Sequence, residues 1–426
     1  MIIGGGFAGI AAAKALRRAP VEITLLDRTN HFIFQPLLYQ VATAALAPSD
    51  ITAPIRWILR RQRNTRVLMG EVRKIDPASR QVFVDDEMRA IPYDYLIVAP
   101  GARHAYFGHD EWEPYAPGLK AIEDASEIRR RFLLAFENAE KSEDSTEREE
   151  YLTFVIVGGG PTGVELSGAL PFIAKKALAP DFRVIDTRRT RVILVEAGPR
   201  ILPSFPEDLA RHAAQDLVDL GVELRLNSVV TKVERDGVRI GDEKIRARTV
   251  FWAAGNKASP LGRFLDAPLD RAGRVQVDPD MSVPAHPEIF AIGDIAVIVQ
   301  DGRMVPGVCP AANQEGATAA KNILRDLLHQ PRKAFHYFNK GDLATIGRSR
   351  AIADFGKVRF TGRLAWFLWL FVHIMYLVGF RNRLSVLMQW TYAYVTYQRG
   401  VRLITDVERY KPPPDARGGE YRGPVT

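Results

Sequence analysis

A chain of 426 residues has room for two or three domains, and a 47% share of hydrophobic residues can fill real cores. The net charge of +8 favours an anionic partner, whether a phosphate-rich cofactor, an anionic membrane surface or nucleic acid. The single cysteine, Cys309, excludes an intrachain disulfide, a redox cysteine pair and a Cys-cluster metal site, so no metal is expected. Glycines within residues 4–9 interrupt any apolar run that could serve as a secretory signal, which places the chain inside the cell.

Residues 1–28 read as strand, glycine turn, helix and strand, with the helix over Ile10–Ala19 and the second strand over Val21–Leu26. Gly4, Gly6 and Gly9 form G-x-G-x-x-G: a tight turn, a close approach of backbone to a pyrophosphate, and close packing of helix on strand. Asp27 follows Gly9 by 18 residues, near the spacing of a carboxylate that accepts both ribose hydroxyls. Only Met1-Ile2-Ile3 precede the glycines, so either the first strand is short or the true start lies upstream.

The aromatic, Pro-interrupted stretch His31–Ala42 reads equally as the lining of a planar ring or as plain core. Arg56–Arg66 is strongly basic, with a solvated helix end as its bland reading. Alternation over 67–99 suggests a small antiparallel ribbon, closed by a strand and the turn Pro100-Gly101. A charged helix is expected over 120–141, then a solvated linker over Glu140–Glu150, where six acids stand against two bases.

The second fingerprint is the stronger one. The apolar β-rich run 154–157 leads into Gly158, Gly160 and Gly163, and a helix begins at Pro161. Free N–H groups and the dipole at that helix start suit phosphates. Two acids compete for the ribose: Asp186 lies 23 residues past Gly163, and Glu196 lies 33 past it but ends the better strand. Strand quality selects Glu196, and a carboxylate there favours NADH over NADPH. Further on, a strand leads to Gly255, and Ile289–Ala291 runs into Gly293-Asp294. A helix is expected after Asp294, with the carboxylate over a ribityl or phosphate group; an ordinary N-cap is the alternative.

In the tail, Leu364–Phe380 is nearly apolar and makes about 25 Å of helix, at the bottom of the membrane-spanning range. A second aromatic segment follows at Leu384–Tyr397, flanked by Arg399 and Arg402. Basic flanks with interleaved Trp and Tyr favour a membrane-surface anchor over a span or a buried dimer interface. From Lys411-Pro-Pro-Pro onward disorder is expected.

The expected fold class is α/β: two Rossmann-like dinucleotide-binding domains, plus a C-terminal membrane-associating helical region. An FAD-binding domain would comprise 1–115 and 276–330, an inserted NADH-binding domain 116–275, and a membrane-anchoring tail 331–426. Together the motifs at 4–9, 34–42, 157–165 and 291–294, with the aromatic tail, resemble those of type II NADH:quinone oxidoreductases over nearly the whole chain. That resemblance implies FAD on Gly4, Gly6, Gly9, Asp27, Gly101, Gly293 and Asp294, and NADH on Gly158, Gly160, Gly163, Glu196 and Gly255. It implies a catalytic role for Glu165, in proton delivery or in holding the NADH–flavin complex; a first-turn acid stabilised by the helix dipole is the bland alternative.

The family's quinone motif A-Q-x-A-x-Q is matched here by a variant in Cys309–Gln314, with Pro310 in place of the first glutamine. Gln314 and Ala311 become the expected quinone contacts. Lys357 is a possible match for a basic residue that the family brings to the flavin from its tail. The resemblance further implies a membrane quinone as acceptor, no proton pumping, a homodimer, and a peripheral place on the cytoplasmic face of the cell membrane. Other readings of the two fingerprints are a soluble ferredoxin- or rubredoxin-type reductase and an apoptosis-inducing-factor-like NADH sensor. Nucleic acid is not expected as a partner, because the basic residues near 381–402 alternate with long apolar runs.

Overall fold

The computed structural model describes residues 1–396 and 400–405. Expectations for Tyr397, Arg399 and the Pro-rich end lie outside the described residues. Two sheets organise the chain, the second all parallel and the first parallel but for its antiparallel edge strand Ser282–Val283. The first runs in the order Ser282–Val283, His286–Ala291, Leu96–Val98, Ile2–Ile3, Ile23–Asp27, Thr65–Met69. Its first strand is only two residues long, yet it sits at the centre, with Ile2 opposite Leu25 on one side and Ile97 on the other. Pairing on both edges with complete burial compensates for its length. The second sheet runs Val222–Arg225, Arg191–Val195, Thr153–Val157, Thr249–Trp252. The predicted antiparallel ribbon is present as Val72–Asp76, Gln81–Val84 and Arg89–Pro92.

The helices, in chain order, are α1 (Phe7–Ala15), α2 (Leu38–Ala42), α3 (Pro48–Ile51), α4 (Ile55–Leu59), α5 (Ile122–Lys141), α6 (Ser145–Tyr151), α7 (Pro161–Phe172), α8 (Glu207–Asp219), α9 (Cys309–Leu327), α10 (Gly362–Tyr376) and α11 (Phe380–Thr396). Helix α1 begins and ends earlier than predicted. The Asn64 amide takes the carbonyls of Leu16, Ala19 and Val21 and so draws the chain out of helical conformation after Ala15.

The segment 140–150 is not a solvated linker. It contains α6, capped by Asp144, whose side chain accepts from the Thr146 N–H. Glu150 is buried and accepts from Arg246 and Arg248, while the Glu140 carboxylate accepts from the backbone N–H groups of Arg183, Val184 and Ile185. These acids have fixed partners far away in sequence.

After α9 the chain forms a three-stranded antiparallel sheet, Asp342–Thr345, Ala351–Asp354 and Arg359–Thr361, followed by α10 and α11. The long apolar run is broken at Gly379, which has φ +88°. No described helix is long and apolar enough to cross a membrane. Helices α10 and α11 bury one side each, at Ala365, Trp369 and Val386, and leave Leu364, Phe367, Phe371 and Met375 outward on α10. Four polar contacts dock α11 on the first domain. Ser385 and Gln389 donate to Asp50, Asn382 donates to the Thr52 carbonyl, and the Trp390 indole donates to Gln40.

Candidate active site

The two glycine turns divide their labour in the same way. At Gly4 (φ +99°) a Cβ would lie 2.1 Å from the Ala99 carbonyl oxygen, and at Gly9 it would lie 1.9 Å from the Gly4 oxygen. These two glycines are required by the fold itself. A Cβ at Gly6 would meet nothing within 4 Å. Gly6 is the N-cap of α1 and has no side-chain cap, so its N–H groups face open space where a pyrophosphate fits. In the second turn Gly158 (φ +111°) abuts Ala253, and a Cβ at Gly163 would lie 1.8 Å from the Gly158 oxygen. Gly160, the N-cap of α7, is again open.

Asp27 and Glu196 each reach back to their own glycine turn. Asp27 Oδ2 accepts from the Gly5 N–H at 2.6 Å, and its Oδ1 accepts from the Thr29 N–H and hydroxyl. Glu196 Oε2 accepts from the Gly159 N–H at 2.6 Å, and its Oε1 accepts from the Gly198 N–H at 2.7 Å. Asp186, by contrast, caps an exposed turn at Thr187–Arg189 and pairs with Arg188. Of the two acids, Glu196 is the one that lies beside the glycine turn.

Two clefts adjoin at Asn256. One, of about 780 Å³, is lined by Gly158–Thr162, Glu196, Trp252, Gly255, His104 and Lys120. That volume suits a nucleotide or another drug-sized ligand. The other is lined by Gly293, Asp294, Gly307, Val308, Arg274 and Glu315. Gly255 (φ +73°) is held against the Phe107 ring. Gly101 (φ +73°) turns the chain into Ala102–His104, which pairs antiparallel with Asn256–Ala258 between the two sheets.

The helix expected after Asp294 is absent. A single 3-10 turn, Gly293–Ile295, leads into a two-residue strand, Ala296–Val297, paired with Val275–Gln276, and the helix starts only at Cys309. Parallel pairing of this buried, partly β-branched segment outweighs the N-cap signal. Burial raises the Asp294 carboxyl, and Lys120 and Arg274 pull it back down.

Residues 1–316 match the family described as pyridine nucleotide-disulphide oxidoreductase, and residues 339–396 match the NDH2 C-terminal domain. The chain is 46% identical to the type II NADH:quinone oxidoreductase NdhA of Mycobacterium tuberculosis over 95% of its own length and 89% of that protein. It is 44% identical to Ndh of the same organism, over 96% of its own length and 91% of that protein. The chain belongs to the type II NADH:quinone oxidoreductases. NDH2 from Plasmodium falciparum in complex with NADH shares the fold, with a TM-score of 0.85 at 21% identity, covering 94% of this chain and 98% of that one. The sulfide:quinone oxidoreductase of Aquifex aeolicus also shares the fold, with a TM-score of 0.73 at 20% identity over 90% of this chain and 91% of that one.

FAD is the cofactor typical of this family, and the open N-terminus of α1 with the Asp27 carboxylate beside it fits its pyrophosphate and ribose. In this type II NADH:quinone oxidoreductase Glu165 lies on α7, half-buried. Burial pushes its carboxyl up to about 8, against the Thr345 N–H that pulls it down. With the folded value above the ordinary 4.5, the associated stability is complete below pH 4.5 and is lost as pH rises to about 8. The advantage of Glu165→Gln over the parent in thermal melts should therefore grow across that window and level off above it. The expected gain is about 1–3 kcal/mol, discounted for the water that still reaches the side chain. A difference independent of pH would rule the titration out.

Ala311 is fully buried at the start of α9. The Gln314 amide is engaged by the chain itself: Nε2 donates to the carbonyls of Phe338 and Pro310, and Oε1 accepts from the Phe338 N–H. Lys357 lies in the exposed turn between two tail strands and lines neither cleft.

Three groups had no motif to announce them. Glu315, whose carboxylate accepts from the Gly293 N–H, is raised to about 7 by burial. The Lys120 ammonium, lowered by burial, faces Asp294 and the Cys309 thiol, which burial pushes up to about 12. His373 on α10 is lowered to about 4 by burial; its Nδ1–H donates to the Trp369 carbonyl, and its ring meets Phe34 edge-on at 6.2 Å. Folding brings Glu315 and Lys120 to the clefts and buries His373 against Phe34.

Proposed function

We propose that the chain passes two electrons from NADH, by way of bound FAD, to a membrane quinone at the cytoplasmic face of the cell membrane, without translocating protons. The observation that carries this reading is the pair of matched cradles, open at Gly6 and Gly160, with a cleft lined by Gly160 and Glu196 that meets, at Asn256, a second cleft lined by Gly293 and Asp294; the tail adds outward apolar side chains. Bound FAD supplies the hydride-accepting and electron-donating chemistry. The protein's residues supply position and charge. Asp27 and Asp294 orient the flavin nucleotide, and Gly101 and Gly293 let the backbone approach it. Glu196 takes the NADH ribose, and Gly255 shapes the nicotinamide end of the cleft. Glu165, near neutrality at working pH, holds or releases a proton between α7 and the tail sheet.

The tail faces lipid through Leu364, Phe367, Phe371 and Met375, each exposed in the chain alone. Every such side chain moved fully out of water contributes about 1.5–3 kcal/mol to attachment. Homodimerisation through the remainder of the tail completes the reading, and sedimentation velocity in detergent would reveal it.

Anaerobic stopped-flow on the FAD-loaded protein tests the function. Rapid loss of flavin absorbance with NADH but not NADPH, and rapid recovery on adding a short-chain quinone, is the expected sequence. Loss without recovery would replace the quinone by a soluble acceptor. In the same experiment Gln314→Ala should slow recovery about tenfold, the scale of one lost hydrogen-bonding group, and leave reduction by NADH intact. Through Phe338, Gln314 fixes the segment that enters the tail; both of its amide hydrogens are taken by Pro310 and Phe338, so none is left for the expected quinone carbonyl, and the second lone pair on Oε1 stays available to the hydroxyl of the quinol that forms. Equal loss in both halves of the reaction would remove it from the quinone side.

A further inference from the structure

The stretch between Asp50 and Glu71 contains no acid and carries Arg56, Arg60, Arg61, Arg63 and Arg66. All five arginines are exposed, and none of them forms an ion pair among the described residues. The segment is nevertheless rigidly held. The buried Gln62 donates to the Ala13 carbonyl at 2.6 Å, and Asn64 binds three carbonyls beyond α1. Inward side chains thus fix the register that turns Arg60, Arg61 and Arg63 outward.

Beside them Trp57 is 43% exposed, with the Arg60 guanidinium 4.9 Å over its ring. The turn between α10 and α11 rests on this indole: a Cβ at Gly379 would lie 3.3 Å from Trp57. Asn382 ties the same turn to the Thr52 carbonyl at 2.9 Å. Next to the turn stand Phe380, 81% exposed, and the exposed Arg381. Apolar rings and unpaired guanidinium groups therefore share one fixed end of the molecule.

We infer that α4 and the α10–α11 turn form one composite binding surface for anionic phospholipid headgroups. This deepens the proposed function and rests on its membrane attachment. Trp57 and Phe380 enter the interfacial layer, where aromatic rings are favoured. The arginines pair with phosphates around them, each planar fork matching two phosphate oxygens. A second copy of the chain does not fit, because a two-fold contact on this patch sets the same arginines against each other. Nucleic acid would satisfy the charges but would leave Phe380 and Trp57 unburied.

The test is co-sedimentation of the full FAD-loaded chain with vesicles of phosphatidylcholine alone and with vesicles in which part is replaced by phosphatidylglycerol. The parent should bind the anionic vesicles more tightly, by about fivefold per engaged arginine at low salt, and added salt should erase the difference. Combined Arg56→Gln, Arg60→Gln, Arg61→Gln and Arg63→Gln should reduce binding to the neutral-vesicle level, with FAD content, melting temperature and turnover of a soluble quinone unchanged. Phe367→Ser with Phe371→Ser should instead weaken binding to both vesicle types. Equal binding of the parent to both vesicle types overturns the headgroup surface and leaves membrane attachment standing. Binding to neither overturns both, and tighter binding to duplex DNA than to anionic vesicles overturns the choice of partner.

Discussion

A folded chain that no longer retains FAD is the expected product of Gly6→Val. The backbone at Gly6 is extended, with φ −77° and ψ −162°, which valine adopts readily, and its Cβ would touch no protein atom within 4 Å. A valine is a poor N-cap, so the flavin-free protein should lose about 1 kcal/mol at most. The space filled is nevertheless the mouth of α1, where a pyrophosphate must lie against free N–H groups. Losing even two hydrogen bonds to a charged group, at about 1.5–3 kcal/mol each, lowers affinity by at least about a hundredfold. The flavin-to-protein absorbance ratio and a titration of FAD into stripped protein measure the loss, while thermal unfolding of that stripped protein shows that the fold survives. Gly9→Ala gives the contrast: its Cβ would lie 1.9 Å from the Gly4 oxygen, so α1 is forced off the strand and stability falls together with binding. A Gly6→Val protein that purifies with a full complement of flavin would disprove the assignment of this cradle.

Glu196→Gln should produce the largest change in nucleotide use. The carboxylate already satisfies the Gly159 and Gly198 N–H groups, and its remaining lone pairs face the cleft where a ribose would sit. An amide can keep one of those N–H partners but turns its own donor against the other. We expect kcat/KM for NADH to fall about 10- to 100-fold, equivalent to about 1.4–2.8 kcal/mol. Most of the loss should lie in KM, because the ribose contact is made equally before and during hydride transfer. Preference for NADH over NADPH should shrink as well, since the charge that repels a 2′-phosphate is gone. FAD content serves as the internal control. Unchanged discrimination between the two nucleotides would return the choice to Asp186.

Both cradles were legible because they are demands on the backbone. A glycine pressed onto a carbonyl tolerates no other residue, so the requirement surfaces as letters at fixed spacing. Asp27 and Glu196 were legible as acids beside the glycine turns because each closes an apolar strand. What was hidden depends on partners distant in sequence. The acids of 140–150 look solvated until Arg246, Arg248 and the N–H groups at 183–185 are brought to them. The Gly293-Asp294 pair promised a helix, and its neighbours Ala296 and Val297 paired with another strand instead. Gln314 reads as a free side chain, and Phe338, 24 residues on, occupies it. Lys120, Glu315 and His373 belong to no motif and acquire meaning only from burial.

The tail sheet touches the nucleotide-binding half as closely as backbone can approach backbone. A Cβ at Gly168, in the middle of α7, would lie 2.6 Å from the Gly347 nitrogen, and one at Gly347 would lie 2.6 Å from the Gly168 oxygen. Arg350 bonds Asp216 and Arg359 bonds Asp208, both on α8, while α11 grips the other half through Asp50 and Gln40. The tail is thus a brace bolted to both halves, and it opposes a swinging hinge between them. Nucleotide exchange should then need no opening of the frame, and a viscous medium should slow the enzyme only through the ligands it delays.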